Sequence, residues 1–289
     1  MWRSRRIITM IALALGMGAL STQEARAQDD TERGWSFTSE LSGVWTAGNS
    51  KTTTWGLGAT VEYAWAHAIA KIEGGAVRSQ STLTTRSAVG TSDNFTLNEE
   101  TVTEKTAEAY GVRGRYDYNF SPVFFAFGGG DWLRNTFSGI DSRLLLAAGA
   151  GNTWTTTDRV KFKTDYSATY TFQEDVVENP FVKTNFPGVR LGYDFWWKLT
   201  GSTEFTSVFV GDLNLDNTDD IRLDVKNSLP IAISSVLAFK PSLEILWRNE
   251  PSLTEVPLFN PDGSETGESV AVPLKKLDSL FKVALVVKF

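Results

Sequence analysis

The chain has 289 residues, a formal net charge of −6, one histidine and no cysteine. Disulfide and thiolate chemistry are therefore excluded, and an acidic balance excludes nucleic acid as a partner, because phosphate contacts need clustered Lys and Arg. Mean hydropathy is −0.17 and no run of eighteen apolar residues occurs after the first twenty, so a helical membrane protein is excluded as well.

The N-terminus reads as a secretory leader. Arg3, Arg5 and Arg6 precede an apolar stretch over residues 7–20, and Ala25-Arg26-Ala27 supplies a small-residue cleavage site. Cleavage after Ala27 gives two segments, a leader of residues 1–27 and a mature domain of residues 28–289.

From Gly34 onward one unit repeats: ten to fifteen residues of apolar–polar alternation, then a turn. Twelve strands are predicted. The first sends Trp35, Phe37, Leu41 and Trp45 to one face and Ser36, Thr38, Glu40 and Ser42 to the other, and Gly48-Asn49 turns it into the second, where Trp55, Leu57, Val61, Tyr63 and Trp65 oppose Gly56, Gly58, Thr60 and Glu62. The third, weaker, has Ile72 against Lys71 and Glu73. The fourth sets Tyr110, Val112, Tyr116 and Tyr118 against Arg113, Arg115 and Asp117. The fifth (123–135) is rich in Phe and Gly, and the sixth covers 143–154. The seventh opposes Val160, Phe162, Tyr166, Tyr170 and Phe172 to Lys161, Lys163, Asp165, Ser167 and Thr169, and the eighth opposes Val189, Leu191, Tyr193, Phe195 and Trp197 to Arg190, Gly192, Asp194 and Lys198. A ninth spans 202–213. Leu223 and Val225 against Arg222, Asp224 and Lys226 mark the tenth, and Leu243, Ile245 and Trp247 against Lys240, Glu244 and Arg248 the eleventh.

The last strand, 279–289, places Phe281, Val283, Leu285, Val287 and Phe289 on a purely apolar face and Lys282, Ala284, Val286 and Lys288 on a mixed one. It resembles the closing strand of bacterial outer-membrane barrels, whose terminal phenylalanine is the assembly signal read by the barrel-assembly machinery. Phe289 is the expected signal here.

The connections alternate in length. Those at 65–68, 119–122, 155–159, 198–202 and 232–236 are tight, whereas 80–101, 173–183 and 249–275 read as long loops. Short turns on one side and longer loops on the other, with an even strand number, predict an all-β, single antiparallel up-and-down transmembrane β-barrel of about 12 strands with both termini periplasmic. Lipid offers no hydrogen bonds, so such a sheet must close and its lipid face must be apolar.

Residues 40–65, ELSGVWTAGNSKTTTWGLGATVEYAW, resemble the YdiY-like family of salt-induced outer-membrane proteins, whose first hairpin has a Gly-Asn-Ser/Thr turn, threonines and a Leu-Gly strand. Asn227-Ser228-Leu229-Pro230, the stretch 243–251 and Lys276-Leu277-Asp278 are similar to the family's closing layout. The resemblance implies an outer-membrane location, an uncharacterised function and no catalytic residues.

Interleaved charges fall on the inward face. The lumen-lining candidates are Arg113, Arg115, Asp165, Arg190, Asp194, Arg222, Asp224 and Glu244. They form either a structural ion-pair network or the lining of a path for small solutes. The expectation is a non-enzymatic, monomeric barrel with a narrow mixed-charge lumen, in contact with outer-membrane lipids, with a structural or envelope-stress role or porin-like passage of small solutes.

The alternative is an outer-membrane enzyme that modifies or hydrolyses lipid. His67 would serve it, but strand parity puts His67 in a periplasmic turn, away from the extracellular side where such enzymes place a histidine. Asp212-x-Asn214-x-Asp216 resembles the start of a calcium loop, yet Asn217 and Leu223 occupy the positions that need Gly and Glu, leaving an ordinary acidic loop. Gly128-Gly129-Gly130 precedes no helix and is read as a close strand approach. No cofactor, metal or catalytic residue is expected.

Overall fold

A computed structural model describes residues 33–45, 50–91, 94–180, 182–262 and 264–288. The leader, the Gly48-Asn49 turn and Phe289 lie outside the described residues. Fifteen strands appear in chain order: β1 (Gly34–Trp45), β2 (Ser50–Ala64), β3 (Ala68–Thr91), β4 (Asn94–Asn119), β5 (Phe124–Asn135), β6 (Ile140–Thr156), β7 (Val160–Asp175), β8 (Asn185–Lys198), β9 (Glu204–Asn214), β10 (Ile221–Ser228), β11 (Ile231–Ala232), β12 (Leu237–Arg248), β13 (Leu253–Phe259), β14 (Glu265–Pro273) and β15 (Leu277–Lys288). The one helical piece among the described residues is a 3-10 turn, Thr136–Ser138.

Twelve of these strands make a closed antiparallel barrel. Each of β1 to β10 pairs with its sequence neighbour, β10 pairs with β12, β12 with β15, and β15 returns to β1. The closing seam runs from Thr38–Lys288 to Ser42–Ala284. Closure gives every barrel strand a partner on both sides, which is the condition for burying a sheet in an apolar surrounding.

The alternation has the expected hand. Trp35, Phe37, Leu41, Leu57, Ile72, Val112, Tyr116, Leu191, Phe281 and Leu285 all stand exposed on the outer wall. On the alternate positions Lys71, Glu73, Asp194, Lys240, Glu244, Ala284 and Val286 are buried inside. Outer rings also pack in a belt at the end with the short turns: Trp35 on Tyr63, Tyr63 on Trp65 (centroids 4.5 Å apart), Trp65 on Tyr116, and Tyr118 on Phe120. Edge-to-face rings gain attraction beyond the area they cover.

Both ends of the barrel chain, Gly34 and Lys288, lie at this turn end, together with the connections after β2, β4, β6, β8 and β10. The opposite end carries the longer segments, and here the sequence reading needs two corrections. Residues 80–101 are no loop. They extend the β3–β4 hairpin, paired from Gln80–Lys105 out to Thr91–Asn94. Near its base the Thr82 and Thr103 hydroxyls bond across the pair at 2.9 Å. Residues 249–275 are likewise largely a hairpin, β13–β14, which starts with Leu253 opposite Pro273.

The base of that second hairpin reaches across the mouth. Ser252 and Leu274, at its base, lie against Gly139 in the β5–β6 connection, half-way round the ring from β12 and β15. The Ser252 hydroxyl also donates to Asp175 Oδ1 at the end of β7 (3.3 Å). Further anchors are the Asn249 amide to the Asp219 carbonyl (3.0 Å) and the Asn217 amide to Glu250 Oε2 (2.6 Å). The segment is thus a strap laid across the loop end of the barrel.

Candidate functional site in the barrel lumen

Inside the barrel, alternate side chains of the barrel strands point at one another across a narrow space. Twelve strands lie between barrels that side chains fill and barrels that leave a channel. Here charge fills it. Arg113 on β4 holds Asp131 on the neighbouring β5 through two bonds, the second from Nη2 to Oδ2 at 3.1 Å. Arg190 on β8 donates to the same Asp131 (2.8 Å), three strands away, and to both oxygens of Asp212 on β9 (2.6 and 3.0 Å). Arg115 holds Asp117 on its own strand (2.7 Å) and reaches Asp165 on β7 (3.3 Å), again three strands distant. Planar forks facing carboxylates make these the strong class of charged hydrogen bond.

Three further groups extend the lattice. Arg222 donates to Asp220 through both Nε (2.9 Å) and Nη2 (2.6 Å) and crosses to Gln173 Oε1 (3.1 Å). Glu40 on β1 accepts from Lys240 on β12 (2.6 Å) and from Lys282 on β15 (3.4 Å), so one carboxylate ties together three strands at the closing seam. Lys71 pairs with Glu73 at 3.0 Å. Aromatic rings insert among the charges: the Arg115 guanidinium lies 3.7 Å from the Phe127 ring centroid, and Arg222 lies 5.2 Å from that of Phe186.

Three of the lumenal cavities among the described residues measure about 60, 40 and 50 Å³. One water needs roughly 10–15 Å³ by this measure, so each holds a few waters and no sugar-sized solute. A larger chamber of about 370 Å³, lined by Asp175, Lys183, Phe186 and Arg222, sits at the mouth beneath the loops.

All eight lumen candidates face inward. Arg113, Arg115, Asp165, Arg190 and Asp194 line the middle cavity, Arg222 and Asp224 line the next one toward the mouth, and Glu244 is buried on the inner face of β12. Asp131, Arg143, Asp212 and Asp220 escape the sequence reading. Alternation carried through the glycine run would have put Asp131 inward with Phe127 and Gly129, but inward phenylalanines read as lipid-facing ones. Asp212 is a strand residue bound to Arg190, not the head of a calcium loop. Among the described residues no group of His, Asp and Glu is placed to hold a metal. Gly129 marks a close approach, since a Cβ there would stand 2.5 Å from the Gly114 carbonyl oxygen. His67 lies exposed in the β2–β3 turn, at the end opposite the strap.

Solved barrels of similar outline include the NanC porin, at 11% identity and a TM-score of 0.45 over 88% of this chain and all of that one. The KdgM porin in complex with disordered oligogalacturonate matches at 9% identity and 0.40, over 88% and 99%. A Pseudomonas aeruginosa FadL homologue matches at 11% and 0.35, over 89% and 74%. Uncharacterized protein YdiY of Escherichia coli (strain K12) is 24% identical over 165 residues, which is 56% of this chain and 60% of that protein. Residues 39–256, from the first strand through the eleventh barrel strand into the strap, match the protein family of unknown function DUF481, and the chain belongs to that family.

Proposed function

We propose that this protein is a monomeric outer-membrane barrel without catalytic activity, closed at rest, that serves the envelope structurally and passes no solute while its lumenal lattice is intact. The observation that carries this reading is the pair of bridges spanning three strands, Arg190–Asp131 and Arg115–Asp165, in a lumen whose cavities hold only a few waters. A porin would need a continuous aqueous path along its axis.

The outer wall supports a membrane location. On β7 the outward rings run from Phe162 to Phe172, ten residues and so about 33 Å along the strand, which at a tilt of about 40° gives a band of about 25 Å. That is the apolar height of an outer-membrane barrel. The strap and the mouth loops then face outward and the tight turns face the periplasm.

The test is a planar-bilayer recording of purified, refolded protein. Silent insertions, with the heat-modifiable gel shift of a folded barrel, are the expected result. Steady conductance steps at each insertion would overturn the closed reading. Incubation of the same material with phospholipid vesicles should release no fatty acid, and His67→Ala should change nothing; hydrolysis abolished by that substitution would establish an enzyme instead.

A further inference from the structure

Arg113, Arg143, Arg190, Arg222 and Arg248 converge on one cavity just below the mouth. Three of them are committed. Arg113 and Arg190 share Asp131, Arg190 also holds Asp212, and Arg222 holds Asp220. Arg143 on β6 and Arg248 on β12 make no ion pair with any described carboxylate. Arg222 is a main electrostatic neighbour of both, and Arg248 is one of Arg143; Arg248 also feels Asp278, Asp220 and Asp175, but none of them pairs with it, so three guanidiniums gather at this cavity. Asp212, the acid nearest in effect to Arg143, is already bound by both of its oxygens to Arg190. Asp224 shares the cavity, and its buried Oδ1 takes no hydrogen bond from any of these arginines.

Like charges gathered in a medium poorer than water repel strongly, and a planar guanidinium without a carboxylate presents two parallel N–H donors to whatever anion can reach it. The cavity, about 50 Å³, holds three or four waters or the oxygens of one oxyanion. Arg222 also lines the 370 Å³ mouth chamber, so the two spaces meet at its side chain. We infer that Arg143, Arg248 and Arg222 form an oxyanion site that takes the carboxylate or phosphate group of a small solute entering from the mouth, with the remainder of the solute in the chamber beside Lys183 and Phe186. The site goes beyond the closed-barrel reading: the lattice blocks passage farther down the lumen, while the mouth end binds.

The experiment is calorimetric titration of the refolded full chain in detergent with inorganic phosphate and, separately, with citrate, at low ionic strength and with sodium chloride as the control salt. Saturable binding of at least one oxyanion is expected, weakening as chloride is raised. Arg143→Gln combined with Arg248→Gln should weaken it tenfold or more while the heat-modifiable band persists. Arg159→Gln, in the β6–β7 turn at the far end, should leave it unchanged. If the double variant does not fold, Arg143→Lys decides: it keeps the charge, loses the fork, and should bind several-fold more weakly. No saturable heat from folded wild type with either anion overturns the site, as does unchanged affinity in the folded double variant or in Arg143→Lys. A conducting wild type would sink the closed-barrel reading and leave this binding result standing.

Discussion

Gly139 and Ser252 touch across the mouth of the barrel, and the contact leaves no room for a side chain: a Cβ on Gly139 would stand 2.5 Å from Ser252 Cβ and 3.3 Å from Leu274 Cδ1. Gly139 also holds a left-handed backbone, φ +76°, as the cap of the 3-10 turn. Its amide donates to the Thr136 carbonyl (3.3 Å) and its own carbonyl accepts from the Val176 amide (2.9 Å). Three connections from different parts of the ring therefore meet at one residue that only glycine fits.

Gly139→Val should lift the strap without opening the barrel. Limited proteolysis of the folded variant is expected to cut within residues 250–275 at least several-fold faster than wild type, with the barrel band intact. An unchanged cleavage rate would mean that the strap is held elsewhere, at Asn217–Glu250 and Asn249–Asp219.

Arg190→Gln should weaken the whole lattice, because both Asp131 and Asp212 depend on its guanidinium. Removing one partner of a buried pair leaves charge without compensation, at a cost of about 3–5 kcal/mol. Urea unfolding in detergent, followed by tryptophan fluorescence, measures it. A loss below about 1 kcal/mol would show the lattice to be screened by water rather than buried.

Glu40→Gln targets the seam. Lys240 and Lys282 both donate to this carboxylate, so neutralising it leaves two ammonium groups facing each other where β15 meets β1. The expected destabilisation is about 2–4 kcal/mol, again by urea unfolding. Glu108→Gln, near the base of the long β3–β4 ribbon, should cost much less, and equal effects would contradict a special role for the seam.

Neighbouring residues on β15 should respond oppositely. Ala284 is 1% exposed and packs with Ala238 and Val286, whereas Leu285 is 42% exposed on the outer wall. Ala284→Leu therefore overpacks the lumen, at about 1–3 kcal/mol, while Leu285→Ala leaves the lattice untouched and is expected to stay within about 1 kcal/mol. The reverse order would mean that the faces are exchanged. The same burial bears on arginine at position 284: facing the lumen is no protection, because the lumen has no room there.

The sequence by itself determined the wall. Strand side chains alternate with period two, so the pattern of Phe281, Leu285 and Lys282, or of Phe162, Lys163 and Asp165, reports which face meets an apolar surrounding before any fold is known. Strand number, turn parity and the inward set from Arg113 to Glu244 follow from that local rule. Only the tertiary structure decided what the interior does. Whether Arg190 meets Asp131 or Asp165 depends on register and on which strands face one another three positions apart, and no local pattern encodes that. The strap was illegible for the same reason: Ser252 and Gly139 are brought together by ring closure between β1 and β15, and a short hairpin broken by prolines and glycines looks in sequence like any loop. That Arg143 and Arg248 share a cavity without a carboxylate bound to either emerges only from the register of β6 and β12 around the closed ring.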